Sequence, residues 1–359
     1  MVLFERNMLK NLKILELANV LAGPSVGMFF SELGAEVTKI ENKKTNGDLT
    51  RKWFLAKENT SSVSAYFSSV NYNKKHIFLD YNNEKDRVKI EDLIKDCDIV
   101  ITNFKAGDGE KFKLTFEDCK KLNSSIIYAH LGSFKSNIER VAFDVVLQAE
   151  TGFMSMNGEA NRDPVKMPVA LIDILAAHQL KEGILIALID RNKNKKAIKV
   201  STTLEEAAIA SLANQASNYL MLNHIAKPIG TKHPNIAPYG DLITTKNGDK
   251  LVIAIGTDLQ FYKFAQIISI EETLTEKFNS NINRVKKRKE LMLVINEKCK
   301  NFDTNQLMIK CIEANVPVGK IKNIDEVLNS DVSKEMILSE NIEGVETKRI
   351  KSVAFKLTD

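Results

Sequence analysis

The sequence predicts an α/β protein, with a Rossmann-like large domain on a parallel sheet and a smaller α+β domain. Three observations predict it. Residues 12–41 (LKILELANVLAGPSVGMFFSELGAEVTKIE) read as strand, turn, helix and strand. Short apolar runs then alternate with helix-like segments through about residue 200, the pattern of a doubly wound sheet. After the connection KPIGTKHPNIAPYG, a strand at 250–256 is followed by a mostly helical stretch over 257–320.

The elements follow in order. Residues 12–17 (LKILEL) form a short apolar run that suits a buried strand. Ala22-Gly23-Pro24 makes the turn, and residues 25–33 carry apolar side chains at helical spacing. Pro24 is tolerated in a first turn. Gly34 ends this helix, and residues 36–41 (EVTKIE) alternate as a strand. Two strands joined through a helix pair in parallel. Further strands are expected at 76–80, 99–102, 126–130 and 200–203, with helices at 84–96 and 115–122. A helix over about 174–191 ends in a polar break, and residues 204–224 read as one long helix leaving the first domain. Asn247-Gly248 marks the turn before the strand at 250–256. The expected division is a large domain over 1–205 completed by 325–359, a linker over 206–228 and a small domain over 229–322.

Composition narrows the function. The 359 residues carry 51 Lys and Arg against 46 Asp and Glu, a net charge of +5. The basic residues are dispersed and not interleaved with aromatics, which argues against nucleic acid and suits a phosphorylated small molecule. Cys97, Cys119, Cys299 and Cys311 form no C-x-x-C pair, and the five histidines lack ligand spacing. Neither a structural metal nor a disulfide framework is expected. No run of about 20 apolar residues exists, so no membrane span is expected. The N-terminal residues lack the apolar core and cleavage site of a signal peptide. Together these features point to a cytoplasmic protein.

One carboxylate stands out. Asp173 interrupts the apolar run PVALIDILAA near a helix start. A buried charge must be neutralised, paired or used. A helix start favours an anion, and a carboxylate held there can act as a nucleophile. A helix N-cap or a buried, hydrogen-bonded aspartate is the alternative for Asp173. Asp144 and Gln148 lie one helical turn apart on one face, placed to orient a ligand or to satisfy a helix terminus. The loop Asn103-Phe104-Lys105-Ala106-Gly107 follows a strand, where open sheets bind ligands. Lys105 and Lys111 there suit phosphates, and Phe104 or Phe112 suits a base; a plain loop with surface lysines is equally consistent. Glu41 ends the second strand as in dinucleotide-binding folds, but the first turn is Leu21-Ala22-Gly23-Pro24 and lacks G-x-G-x-x-G. A nicotinamide oxidoreductase is a poor reading. A serine nucleophile elbow, G-x-S-x-G, is absent too.

Taken in order, these pieces resemble the family III CoA-transferases, which include formyl-CoA and carnitine CoA-transferases, and their α-methylacyl-CoA racemase relatives. The resemblance is carried by 12–41, GDLTR (47–51), NYNKKHIFLD (71–80), TNFKAG (102–107), FDVVLQAETGFMSMNG (143–158), Asp173 with Gly183, 230–261 and ANVPVGKIKNIDEVL (314–328). It implies an enzyme that moves CoA from an acyl-CoA to a carboxylic acid. Asp173 matches the family's catalytic aspartate, which forms a mixed anhydride and then an aspartyl-CoA thioester. The CoA site maps onto Leu21, Ala22, Asn42, Leu79, Asp80, Asn82, Asn103, Phe104, Lys105, Lys111, Phe143 and Asp144. Lys111 stands where the family usually has Arg, and Arg140 is placed as a second phosphate contact. The resemblance also implies an interlocked homodimer, CoA and acyl-CoA as substrates rather than resident cofactors, and no nucleic-acid or membrane partner. The racemase branch carries a His before the aspartate matching Asp144; here that residue is Phe143, which cannot exchange a proton. SFKSN (133–137) replaces a Gly-Pro element, NKNKK (192–196) replaces a Gly-rich stretch, and the mobile glycine loop of the formyl-CoA branch has no counterpart. Racemisation and a non-catalytic role in holding CoA esters are the alternatives.

Overall fold

The computed structural model describes residues 9–58 and 63–358. Six strands form one parallel sheet: β1 (Lys13–Glu16), β2 (Glu36–Asn42), β3 (Lys74–Leu79), β4 (Ile99–Thr102), β5 (Ile127–Gly132) and β6 (Ile198–Thr203). Their order is β3-β2-β1-β4-β5-β6, and every pair is parallel. The chain reverses direction across the sheet between β1 and β4. Ligands bind at such a switch point, beyond the carboxyl ends of the strands.

Burial on both faces explains the apolar runs. Ile14, Ile99, Ile101, Ile127 and Ala129 point into one core, while Leu15, Ile40, Val100 and Tyr128 point into the other. The first core is closed by α1 (Ala22–Glu32) and by a long helix, Leu171–Asn194. Gly27 and Gly183 permit these approaches. A Cβ at Gly27 would lie 1.8 Å from Glu16 Oε2, and one at Gly183 would lie 2.5 Å from Val200 Cγ1.

The first large unit comprises the chain up to Phe153, Lys166–Ile225 and everything from Asp331 onward. The expected bounds differ from these: residues 154–165 and 325–330, expected in the large domain, fall in the second unit, and residues 206–225, expected as linker, fall in the first. Residues 204–224 are not one helix but two, Leu204–Ala210 and Ala213–Leu222. Ser211 Oγ donates to the Ala207 carbonyl, a competing bond of the kind that bends helices, and Ala213 sits at φ 46°. The first of these helices buries Leu204, Ala207 and Ala208 in the large core, so it is part of that unit rather than a linker. The tail adds a hairpin, Ile337–Ile342 with Val345–Ile350, whose turn residue Glu343 pairs with Arg51 at 3.0 Å.

The second unit comprises Met154–Val165 and Ala226–Ser330. Its strands Tyr239–Thr244, Lys250–Ala254 and Val318–Lys320 form an antiparallel sheet. Helices pack on it through Phe261, Phe264, Phe278, Leu291, Ile295 and Leu307. Arg284 is buried within this unit, donating to the carbonyls of Ala237 and Phe278 and pairing with Asp258. Among the described residues no helix is long and apolar enough to cross a membrane.

Candidate active site

The long helix begins at Leu171, three residues earlier than its apolar spacing predicts, so Asp173 lies inside the first turn rather than at the cap. Another carboxylate makes this start possible. Asp144 opens a short helix, Asp144–Glu150, after β5, and its Oδ1 accepts the N–H of Ile172 at 2.6 Å and of Asp173 at 3.3 Å. It replaces the side-chain cap that Ala170 cannot supply. Gln148 holds Asp144 from one turn away: its Nε2 donates to Oδ2 at 2.6 Å, and its Oε1 accepts the Met167 N–H at 2.8 Å. The Asp144–Gln148 spacing thus serves a helix terminus and supports Asp173 as well.

Asp173 is 7% exposed, and among the described residues its side-chain oxygens accept no hydrogen bond. Burial pushes its carboxyl up to about 7, and the adjacent Asp144 carboxylate adds to the rise. Near neutrality such a group exists in both protonation states, and its anion is poorly solvated and therefore reactive.

Three aromatic residues accompany the pair. Trp53 meets Tyr66 edge-on at 4.9 Å and Phe143 at 6.1 Å. Burial, with the charges of Asp173, Asp144 and Asp48, pushes the Tyr66 phenol up to about 12. Tyr66 is therefore a neutral hydroxyl in the field of three carboxylates. Sequence reasoning singled out neither Trp53 nor Tyr66. Trp53 is the sole tryptophan of the chain and follows GDLTR by one residue, which was an available signal; Tyr66 had none.

The remaining candidates line the carboxyl ends of five consecutive strands. Leu21 and Ala22 follow β1, Asn42 ends β2, Leu79 ends β3 with Asp80 and Asn82 after it, and Asn103, Phe104 and Lys105 follow β4. Arg140, Phe143 and Asp144 come after β5. Adjacent strands are spaced about 4.8 Å apart, so the ends form a continuous rim. Several of these side chains have structural partners. Ala22 and Leu79 are core residues. Asn42 accepts the Lys44 N–H, and Asp80 accepts the Asn82 N–H while pairing with Lys44 at 3.2 Å. Asn103 donates to and accepts from the Asn19 backbone at 2.9 and 3.0 Å. Phe104 packs against Tyr81 and Phe112, and the exposed Lys111 ammonium lies 5.3 Å from the Phe112 ring centre. Arg140 pairs with Glu150 at 2.7 Å and stacks over Phe134, so its charge is already engaged. Lys105, like Lys111, is exposed at this rim.

Glu41 has a different role from the ribose-binding acid of a dinucleotide fold. Arg51 holds it with two contacts of 2.6 Å, and His76 Nδ1 lies 2.9 Å away. Burial pushes the Glu41 carboxyl up, but the Arg51 and His76 hydrogen bonds overcome this and hold it well below the usual carboxylate range. Both Glu41 oxygens are taken by protein donors, and the residue is fully buried.

Comparison with known proteins identifies the family. The model of CoA-transferase family III matches residues 9–358. A succinate–glutarate CoA-transferase of Agrobacterium fabrum is 31% identical, over 89% of this chain and 81% of the relative. The human succinyl-CoA:glutarate CoA-transferase is 32% identical, over 89% of this chain and 73% of its own. The crystal structure of a CAIB/BAIF family protein from Brucella suis superposes with a TM-score of 0.84 at 32% identity, covering 98% of this chain and 92% of that one. Matched by the family model over nearly its whole length and by relatives at 31–32% identity, the chain belongs to CoA-transferase family III.

Proposed function

We propose that this enzyme transfers CoA between carboxylic acids through covalent intermediates on Asp173. The observation that carries the reading is the state of that carboxylate: buried, in a helix first turn, and among the described residues without a hydrogen-bond donor to either oxygen. Asp173 attacks the thioester carbonyl of the donor; the C–S bond breaks, giving a mixed anhydride and CoA thiolate. The thiolate attacks the aspartyl carbonyl, releasing the donor acid and leaving an aspartyl-CoA thioester. The acceptor carboxylate attacks that thioester, again freeing thiolate. The thiolate then takes the acceptor acyl group, and Asp173 returns as a carboxylate. Every bond broken is matched by one formed, and water is not consumed. The carboxylate nucleophile splits one difficult exchange into activated steps. Asp144 orients the turn, and the neutral Tyr66 hydroxyl is a donor in the same field.

The CoA moiety is assigned to the rim of Leu21, Ala22, Asn42, Leu79, Asp80, Asn82, Asn103, Phe104 and Lys105, with Lys111 toward the phosphates. Short dicarboxylic acids are the substrate class, because the relatives described above are named for succinate and glutarate. The protein is read as a homodimer: Ile186 and Ile189 of the long helix are 68% and 62% exposed, and Leu220, Met221 and Leu222 are 79%, 80% and 73% exposed. A monomer seldom leaves such patches open.

The test is intact-protein mass spectrometry after incubation with succinyl-CoA and a panel of short acyl-CoAs, quenched with hydroxylamine or borohydride. A hydroxamate or alcohol mapped to Asp173 supports the mechanism, and the productive ester names the donor. Exchange that persists in Asp173→Ala overturns it. Light scattering after gel filtration reads the oligomeric state; a monomer at micromolar concentration removes the dimer reading.

A further inference from the structure

The segment joining β1 to α1 is held by side chains from every side. Lys39 Nζ donates to the Ala18 carbonyl at 2.6 Å. Asn103 takes both backbone groups of Asn19. Lys74 Nζ donates to the Pro24 carbonyl at 2.8 Å. Between these clamps, Val20 adopts φ 74°. A β-branched residue is a genuine outlier in the left-handed region, and it persists only where its surroundings impose it.

Asp48 makes that imposition. Its two carboxylate oxygens lie 3.0 and 3.3 Å from the Val20 N–H. The residue is 2% exposed and is itself fixed: it accepts from Thr50 N and Oγ1 at 3.0 and 2.9 Å, and pairs with Lys39 at 3.2 Å. Its own N–H donates to Glu41, which Arg51 holds in turn. A chain of buried charges therefore ends on one strained peptide. Leu21 and Ala22 follow that peptide directly.

We propose that Asp48 is a positioning residue for acyl-CoA, holding Val20 in its left-handed conformation and so fixing where Leu21 and Ala22 meet the ligand. The proposal rests on the assignment of the CoA site above. Without this carboxylate, Val20 relaxes to negative φ and carries the following two residues with it. Asp48 touches no substrate; it acts through the backbone.

The strain itself supplies the test. Glycine adopts positive φ without penalty, so Val20→Gly makes the conformation independent of Asp48. CoA binding is measured by titration calorimetry on the full-length enzyme, with unfolding midpoints recorded in parallel. Asp48→Ala is expected to weaken CoA by about tenfold or more, and Val20→Gly in that background to recover affinity to within about threefold of Val20→Gly alone. Lys39 loses one of its two buried carboxylate partners in both variants and keeps Glu16, so a merely structural loss would lower both unfolding midpoints without this rescue. If Asp48→Ala does not fold, Asp48→Asn, which keeps an acceptor for the Val20 N–H, is expected to stay within about threefold of wild type. Affinity unchanged in Asp48→Ala, absence of glycine rescue, or collapse of binding in Asp48→Asn each overturns the proposal. Wild-type enzyme that binds no CoA overturns the CoA-site assignment together with it, whereas wild-type binding with an indifferent Asp48→Ala overturns this proposal alone.

Discussion

Asp144 accepts the backbone N–H of Asp173, so one carboxylate caps the helix turn that carries the other. The arrangement joins two opposing effects. The hydrogen bonds to Ile172 and Asp173 set the position of the turn, while the charge of Asp144 resists ionisation of Asp173. A carboxylate held this way is fixed in position and costly to ionise.

The first prediction concerns stability. The Asp173 pKa is raised from 3.8 to about 7 on folding. The unfolded chain therefore releases this proton at lower pH than the folded one. Stability from the protonated group is fully present below the unfolded value and is lost as pH rises through the folded value. Asp173→Asn has no such loss. Its stability relative to wild type is expected to rise by about 2–3 kcal/mol between pH 5 and pH 8, an order-of-magnitude figure from linkage. Urea denaturation at the two pH values measures it; an equal difference at both would show that Asp173 ionises as freely as in water.

The second prediction concerns rate. If Asp173 attacks as its anion, single-turnover formation of the adduct climbs with pH and levels above about 7, the folded pKa. Asp144→Asn keeps an acceptor for the Ile172 N–H but removes the neighbouring charge. The midpoint is expected to move to lower pH in this variant, read by rapid quench across pH 5–9 (roughly the range bracketing the ionisation). A midpoint that stays in place would assign the rise to burial alone.

How far the sequence foretold these features depends on the range of the interaction. The parallel sheet and α1 were legible because each strand is a short apolar run and each helix has its own period. Asp173 was legible because one charge in an apolar run is a local anomaly. The start of its helix was not: it depends on Asp144, 29 positions away. Arg140 shows the same limit. Its charge suggested a phosphate contact, but the bend after β5 brings Glu150 to it. Tyr66 and Asp48 acquire meaning only from the sheet that gathers them. The tail hairpin was a missed local signal: Ile337–Ile342 and Val345–Ile350 flank Glu343-Gly344, both at positive φ, as a two-residue hairpin turn requires.

Glu41 supplies the third prediction. Its fully buried carboxylate carries the Arg51 fork, His76 and the Asp48 N–H. Asp48 and Arg51 both belong to GDLTR, so this motif reads as an internal clamp. Glu41→Gln removes the buried carboxylate of the Arg51 fork and, among the described residues, leaves the Glu343 carboxylate to Arg51. Breaking a buried pair by removing one member is expected to cost about 3–5 kcal/mol. Chemical denaturation checks it, and a loss below about 1 kcal/mol, the scale of an exposed pair, would mean that solvent reaches the cluster.

Gly27 gives the fourth, in which the usual rule changes sign. In a helix interior, Gly→Ala ordinarily stabilises by about 0.5–1 kcal/mol. Here a Cβ would fall 1.8 Å from Glu16 Oε2 and 3.4 Å from Lys74 Cε. Glu16 cannot swing aside freely, because Lys39 and Lys74 hold it at 3.1 and 2.8 Å with all three side chains buried. The methyl group must displace either the helix or the ion cluster beneath it. Gly27→Ala is therefore expected to destabilise by about 1–3 kcal/mol, the range for overpacking a core. Because Lys74 also holds the Pro24 carbonyl, the same variant should weaken CoA binding. Thermal unfolding and calorimetry read the two effects. A Gly27→Ala enzyme more stable than wild type would mean that α1 rides higher above Glu16 than this structure places it.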